Sequence, residues 1–136
     1  MMRSAVLVAT AALALFVATP ASANSIGVTF VNEAGDRTDV PAGTGLKARI
    51  QFEPQSNAHA IYFTLPPDMT FLALTRDQVG RRISIYVGCK LVSKPVVRTP
   101  ITGREGVITG KFSIAEARAI ADDINTGVPP CTLQRS

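Results

Sequence analysis

The chain has 136 residues and a formal net charge of +4 at pH 7, from 14 basic and 10 acidic side chains. The basic residues are scattered, and Arg81 and Arg82 are the one adjacent pair. Nucleic-acid-binding domains usually gather such residues into a stripe or a recognisable module. The charge pattern therefore argues against nucleic acid as a partner.

The N-terminus carries the pattern of a cleavable export signal. Arg3 precedes an apolar run over residues 5–18, and the small residues Ala21, Ser22 and Ala23 follow. A run of about 14 residues is shorter than the roughly 20 that a bilayer-spanning helix needs. We expect a signal peptide at 1–23, cleaved between Ala23 and Asn24. The product would be periplasmic or secreted, without stable membrane insertion.

Residues 24–136 are of a normal size for one domain with its own core. Apolar residues alternate over 26–31 and again over 46–52, where Leu46 and Phe52 end the inward-facing set. This period of two predicts two strands. Residues 32–45 lie between them and, being rich in glycine and acidic residues, predict a turn-rich connection.

A third strand is predicted over 59–65, and a short helix follows within 66–80. Prolines stand where this helix would begin and a glycine stands where it would end. Proline is tolerated in the first helical turn, and glycine favours helix ends. We expect the helix to break near Thr75.

The next two β-rich runs, 82–87 and 91–97, predict a hairpin. Gly88 and Cys89 form its two-residue turn, and a glycine in the first position suits type II′ geometry. Pro95 cannot donate a hydrogen bond to a ladder, so the second run should lie at a sheet edge or be bulged there.

A final helix follows a loop at 100–106 and a short strand at 107–109. Ser113 and Glu116 form a capping box at its start, and Gly127 stops it. Between them apolar residues recur at spacings of three and four, at Ile114, Ala117, Ile120, Ala121 and Ile124. The sequence as a whole predicts an α+β domain, a mostly antiparallel sheet with two helices packed on one face.

Cys89 and Cys131 are the two cysteines of the chain. An exported protein meets an oxidising environment, which favours a disulfide between them. A redox-active pair would require a close Cys-x-x-Cys spacing or an activated thiolate, so we favour a structural crosslink.

The remaining residues offer little for catalysis or cofactors. His59 is the one histidine, and it has no acid or cysteine at a ligand-like spacing for zinc. A serine or cysteine triad would have only this one base, and no nucleophile motif accompanies it. Asp122 and Asp123 are adjacent in the chain, and adjacent helical side chains point about 100° apart. They therefore cannot flank a scissile bond as the two carboxylates of a glycosidase do. We predict no catalytic, metal or cofactor-binding residues and a non-enzymatic domain.

Several short motifs occur in one order along the second half of the chain. They are residues 74–87, 90–95, Ile101, Gly103, 108–110, Phe112-Ser113, Glu116-Ala117 and Gly127. In that order they resemble the head subdomain in the first periplasmic loop of the SecD and SecDF protein-export family. The resemblance covers about residues 61–130. At the hairpin the family usually has Asp-Gly, where this chain has Gly88-Cys89.

The resemblance implies the fold and a role in contacting emerging, unfolded protein. The family's transmembrane helices have no counterpart here, so proton-driven export is not carried over. An edge strand can bind an extended peptide by strand addition, and Leu91, Val92 and Ser93 are our candidates for that edge. The alternative is that Pro95 simply protects this edge.

The favoured function is a periplasmic binding module for protein or unfolded peptide, accessory to protein export or envelope folding. A second hypothesis is a small structural or inhibitory domain for one specific partner. The third, an enzyme with an unfamiliar site, requires a deep pocket with perturbed titratable groups.

Overall fold

The computed structural model describes residues 25–131, so the predicted cleavage site between Ala23 and Asn24 lies outside it. Within these residues the chain forms seven strands and two helices. They are β1 (Ile26–Asn32), β2 (Arg37–Pro41), β3 (Lys47–Glu53), β4 (Ala58–Thr64), α1 (Phe71–Thr75), β5 (Ile83–Val87), β6 (Lys90–Ser93), β7 (Glu105–Phe112) and α2 (Ile114–Thr126).

The strands form two antiparallel sheets. The first has the order β2-β1-β5-β6 and the second the order β3-β4-β7. The predicted α+β class and antiparallel pairing are confirmed, and the strands divide between two sheets instead of forming one. β2 was not predicted: residues 32–45 contain a strand that pairs with β1 from Val31↔Arg37 to Ile26↔Pro41.

Three phenylalanine rings join the two sheets and α1. Phe30 on β1, Phe63 on β4 and Phe71 on α1 contact one another with ring centroids 5.8–6.2 Å apart. All three are buried. Aromatic pairs in such tilted and edge-on arrangements contribute about 0.5–1.5 kcal/mol beyond the area they bury. This cluster fixes α1 at one end of the core.

The long helix α2 begins and ends as predicted. The Ser113 side chain accepts from the Glu116 N–H at 3.0 Å, and the Glu116 carboxylate accepts from the Ser113 N–H at 3.0 Å. Gly127 ends the helix with φ at +86°. The helix packs mainly against β3, and also against β1 and β4.

Two apolar residues predicted to face the core are exposed. Ile114, the first residue of α2, has 47% of its surface exposed, and Phe52 near the end of β3 has 48%. Ile114 is the first residue of its helix and Phe52 the second-last residue of its strand, so both lie near an end of their element. The other four predicted apolar positions of α2 are buried, at Ala117, Ile120, Ala121 and Ile124.

The short helix and the hairpin follow the sequence closely. α1 ends at Thr75, where a break was expected. Val87 pairs with Lys90 across Gly88 and Cys89, and Gly88 has φ at +63°, as a type II′ turn requires in its first position. The last strand is longer than predicted, because β7 spans Glu105–Phe112.

Candidate functional site

The outer side of the segment from Lys90 to Arg98 is a sheet edge, which we call the β6 edge; along β6 itself it lies close to β7 of the second sheet. β6 is the last strand in its sheet, as predicted from Pro95. The register shifts between Ile85 and Tyr86, so the segment is also bulged. Beyond the bulge it stays beside the start of β5, where Val96 forms a bridge with Arg82.

The backbone of Val96 points away from the sheet. Its neighbours make the bonds to the adjacent strand: the Pro95 carbonyl accepts from the Ile83 N–H at 3.0 Å, and the Val97 N–H donates to the Arg81 carbonyl at 2.8 Å. In antiparallel pairs, residues that bond inward alternate with residues whose N–H and C=O point outward. Val96 therefore presents both groups on the β6 edge.

Leu91 presents its backbone in the same direction. The tight hairpin makes Val87 and Lys90 a hydrogen-bonded pair, so the next pair, Tyr86 and Leu91, is of the outward-pointing kind. The Leu91 side chain is 47% exposed. Of the three predicted edge residues, Leu91 is thus exposed, Val92 is buried and Ser93 is half-buried.

Pro95 does not block this edge. Its carbonyl faces β5, and the N and C=O of one strand residue point to the same side. The N–H that proline lacks is therefore missing on the β5 side. The open side keeps the Val96 donor.

Next to the β6 edge lies an apolar groove of about 270 Å³. This volume is just below the range of about 300–1,000 Å³ that is typical of small-molecule pockets, and it suits one large side chain. The walls of the groove come from β1, α1, β5 and the segment after β6. The lining residues are Phe30, Phe71, Leu74, Thr75, Ile83, Ile85, Pro95, Val96, Val97, Arg98, Thr99 and Ile101.

One buried hydroxyl holds the groove together. Thr75 Oγ1 donates to the Phe71 carbonyl at 2.7 Å and accepts from the Ile101 N–H at 2.9 Å. Thr75 is 2% exposed. The hydroxyl thus fastens the loop that follows β6 to α1, and it holds Ile101, 43% exposed, at the groove's mouth.

The same loop is fastened at two further points. The Phe71 N–H donates to the Gly103 carbonyl at 2.9 Å. Leu65 and Arg104 exchange two bonds, one from the Leu65 N–H to the Arg104 carbonyl at 2.8 Å and one from the Arg104 guanidinium to the Leu65 carbonyl at 3.1 Å. The groove is therefore a preformed feature with a fixed rim.

The groove-lining residues were not predicted from the sequence as a site. They come from four separated parts of the chain, and most of them read as ordinary core positions. One sequence signal was available. Phe71 and Thr75 are four residues apart on a very short helix, and a threonine buried there needs a hydrogen-bond partner for its hydroxyl.

Titratable groups do not gather at the groove. Partial burial and the adjacent Glu53 carboxylate raise the pKa of Tyr62, whose ring also lies 4.7 Å from the Arg49 guanidinium carbon. Hydrogen bonds from the Ser113 backbone and side chain, then the charge of Lys90, lower the pKa of Glu116. Neither residue lines the groove, where Arg98 is the one ionisable side chain.

The predicted crosslink is present. Cys89, at the tip of the β5–β6 hairpin, is bonded to Cys131. The segment that carries Cys131 is held at two other places, because Val128 and Ile26 exchange backbone bonds of 2.9 Å and the Arg37 guanidinium donates to the Cys131 carbonyl at 2.7 Å. The disulfide therefore anchors one end of the β6 edge.

No helix within residues 25–131 has the length and hydropathy to cross a membrane. What the described residues form is a small α+β domain in which a sheet edge runs beside an apolar groove. Residues 24–129 match the family model of the SecDF P1 head subdomain. The chain belongs to this SecDF P1 head family.

Individual relatives agree with this assignment. The SecD protein translocase subunit of Dictyoglomus turgidum is 34% identical over 114 residues, which are 80% of this chain and 28% of that protein. The SecD subunit of Acetobacter pasteurianus is 33% identical over 100 residues, 72% of this chain and 19% of that protein. The chain thus spans less than a third of the length of these curated relatives.

Two solved structures share the fold. One, of a membrane component SecDF that enhances protein export, has 31% identity and a TM-score of 0.55 over 66% of this chain and 43% of that chain. The other, SecDF in its super-membrane-facing form, has 31% identity and a TM-score of 0.59 over 69% of this chain and 13% of that chain. The relatives are translocase subunits by name, in agreement with the expectation of a non-enzymatic domain.

Proposed function

We propose that this domain binds extended segments of other proteins outside the cytoplasm, as an accessory to protein export. The observation that carries the proposal is the β6 edge lying directly beside the apolar groove. A peptide that pairs with the backbone of Leu91 and Val96 would add a strand to the sheet. Main-chain hydrogen bonds then give affinity and a side-chain pocket gives selectivity.

Two features support this edge as the docking position. The backbone donor and acceptor of Val96 point outward, and Pro95 leaves them in place. By contrast, the outer edge of β3 is occupied at Ala48, whose N–H and C=O are both bonded by the Asn125 side chain. An incoming strand would have to displace Asn125 there. On the β6 edge the Arg82 guanidinium bonds the Lys94 carbonyl, and within residues 25–131 no side chain bonds the backbone of Val96.

The relatives' names fit a role of this kind. They are protein translocase subunits, and one structure is of a component that enhances protein export. Contact with a polypeptide in transit requires weak recognition of backbone and apolar side chains over many sequences. Strand addition beside one apolar pocket meets that requirement, since every peptide has a backbone to pair.

Binding of an unfolded model polypeptide tests the proposal. We expect Val96→Pro to weaken binding, because it removes the outward N–H while the two flanking bonds to β5 remain. Ile101→Ala should also weaken it, by opening the mouth of the groove. Val107→Ala is the matched control, since Val107 is 42% exposed and lies outside the groove. Equal affinity of all four proteins would contradict the proposal.

A pull-down from the periplasm distinguishes this function from a domain for one specific partner. Many unfolded proteins recovered in small amounts would support a module for polypeptides in transit. A single protein recovered in a fixed ratio would support the structural or inhibitory alternative.

The proposed compartment is tested separately, by mass spectrometry of the exported protein, which should begin at Asn24.

A further inference from the structure

The β6 edge is basic along its whole length. Lys90, Lys94 and Arg98 recur every four residues from residue 90 to 98, and no acidic residue interrupts them. All three are exposed. Arg82 adds a fourth positive charge, because its guanidinium donates to the Lys94 carbonyl at 3.0 Å.

These charges are largely unpaired within the domain. Among residues 25–131, the ion pair formed is that of Arg37 with Asp39 on β2, at the opposite edge of the same sheet. Lys90 has a partial partner, since its charge lowers the pKa of Glu116. The Glu33 carboxylate accepts from the backbone N–H of Arg82 at 2.8 Å and not from its guanidinium, which bonds the Lys94 carbonyl. Within residues 25–131, Lys94 and Arg98 are exposed and form no ion pair.

Arg98 connects the basic edge with the apolar groove. It lines the groove together with Ile101 and Val97, so a side chain that enters the groove lies next to the guanidinium. Directly opposite residues of paired strands attract when their charges are opposite and repel when they are alike. The β6 edge therefore favours peptides with acidic side chains, in addition to offering backbone groups for strand pairing.

We infer that the β6 edge selects extended peptides in which a large apolar residue is flanked by acidic residues, and that it rejects basic ones. The inference rests on the proposed peptide-binding function and names the class of peptide that the site takes. Basic residues on an exposed edge also discourage pairing with another copy of the same basic edge. An acidic peptide removes that repulsion by neutralising Lys94 and Arg98.

The test uses three labelled peptides with one shared apolar, alternating sequence. Glu, Gln or Lys occupies the same two positions beside the central large residue, and fluorescence anisotropy gives the affinity of each. For two cross-strand pairs we expect the Glu peptide to bind about three- to ten-fold more tightly than the Gln peptide, and the Lys peptide to bind more weakly than either. The preference should shrink as salt rises from about 0.02 M to about 0.5 M.

A double variant, Lys94→Glu with Arg98→Glu, should reverse the order of the three peptides. A second double variant, Lys111→Glu with Arg118→Glu, makes the same change in net charge at exposed positions outside the edge and should keep the original order. If both variants lose the preference equally, the effect is one of net charge and the inference is overturned.

The outcomes separate the inference from the function on which it rests. Equal binding of the Glu, Gln and Lys peptides to the native protein would overturn charge selection and leave peptide binding intact. Absence of binding for all three, and for an unfolded model polypeptide, would overturn the proposed function itself. Circular dichroism of each variant identifies any that fails to fold, and Arg98→Gln then replaces the double substitution as a milder test.

Discussion

The side chain of Asn125 on α2 bonds both backbone groups of Ala48 on β3. Its amide donates to the Ala48 carbonyl at 2.9 Å, and its oxygen accepts from the Ala48 N–H at 2.8 Å. These are the bonds that a neighbouring strand would make. One helical residue therefore closes an edge strand against further pairing and fastens α2 to the second sheet.

Replacing Asn125 should destabilise the domain and open that edge. We expect Asn125→Ala to lower the free energy of unfolding by about 1–2 kcal/mol, since it removes two hydrogen bonds of about 0.5–1.5 kcal/mol each. The freed edge should also promote self-association. Chemical denaturation and size-exclusion chromatography measure the two effects. Asp122→Ala, at an exposed position of the same helix, is the control and should change neither.

The Thr75 hydroxyl should matter for both stability and binding. Thr75→Val keeps the shape and leaves the Phe71 carbonyl and the Ile101 N–H without their partner. We expect the free energy of unfolding to fall by about 1–3 kcal/mol. The affinity for peptide should fall as well, because the loop that carries Ile101 loses its attachment to α1. Thr109→Val, an exposed residue of β7, serves as the matched control.

The disulfide should contribute strongly to stability. Cys89 and Cys131 are 42 residues apart, and closing a loop of that length is worth about 4 kcal/mol in the chain-entropy model. We expect a Cys89→Ser, Cys131→Ser protein to lose about that much free energy of unfolding. The test of pairing is direct: two thiols that alkylate in the exported protein without a reductant would disprove the crosslink.

The capping box at the start of α2 should make stability depend on acid pH. The pKa of Glu116 is lowered in the folded state by its bonds with Ser113. A lowered folded-state pKa contributes stability that is fully present above the ordinary value of 4.5 and is lost as the pH falls through the lowered value. Glu116→Gln has no such titration.

Unfolding experiments between about pH 6 and pH 2.5 measure this contribution. The difference in unfolding free energy between the native protein and Glu116→Gln should change below pH 4.5 and stay constant above it. If the two proteins lose stability in parallel over the whole range, the carboxylate of Glu116 contributes nothing through its ionisation.

Local sequence signals predicted those elements that local physics decides. Ser113, Glu116 and Gly127 set the ends of α2 through bonds and backbone angles that involve only nearby residues. Gly88 sets the hairpin in the same way. Of the two alternatives that Pro95 indicated, the edge position is confirmed, whereas the bulge lies between Leu91 and Ser93 and not at Pro95. Pro95 did not indicate which side of the strand lacks the donor, because that depends on the pairing with Ile83.

The errors arose where long-range pairing outweighs local preference. β2 is short, ends at Pro41 and lies among glycines and acidic residues, so its propensity is weak. Pairing with β1 nevertheless makes it a strand. Phe52 and Ile114 fit the apolar period and are nevertheless exposed. Periodicity identifies the apolar face of an element, and it does not show how far along the element that face is covered.

The sequence by itself determined the class of the domain, the family resemblance, most of its elements and the charge of the 90–98 segment. Each of these depends on the order and spacing of neighbouring residues. Only the tertiary structure decided that the strands divide into two sheets, that the N–H and C=O of Val96 point away from β5, and that a groove lies beside them. Those features require residues from β1, α1, β5 and the loop after β6 to meet, and such contacts between distant segments are set by packing of the whole core.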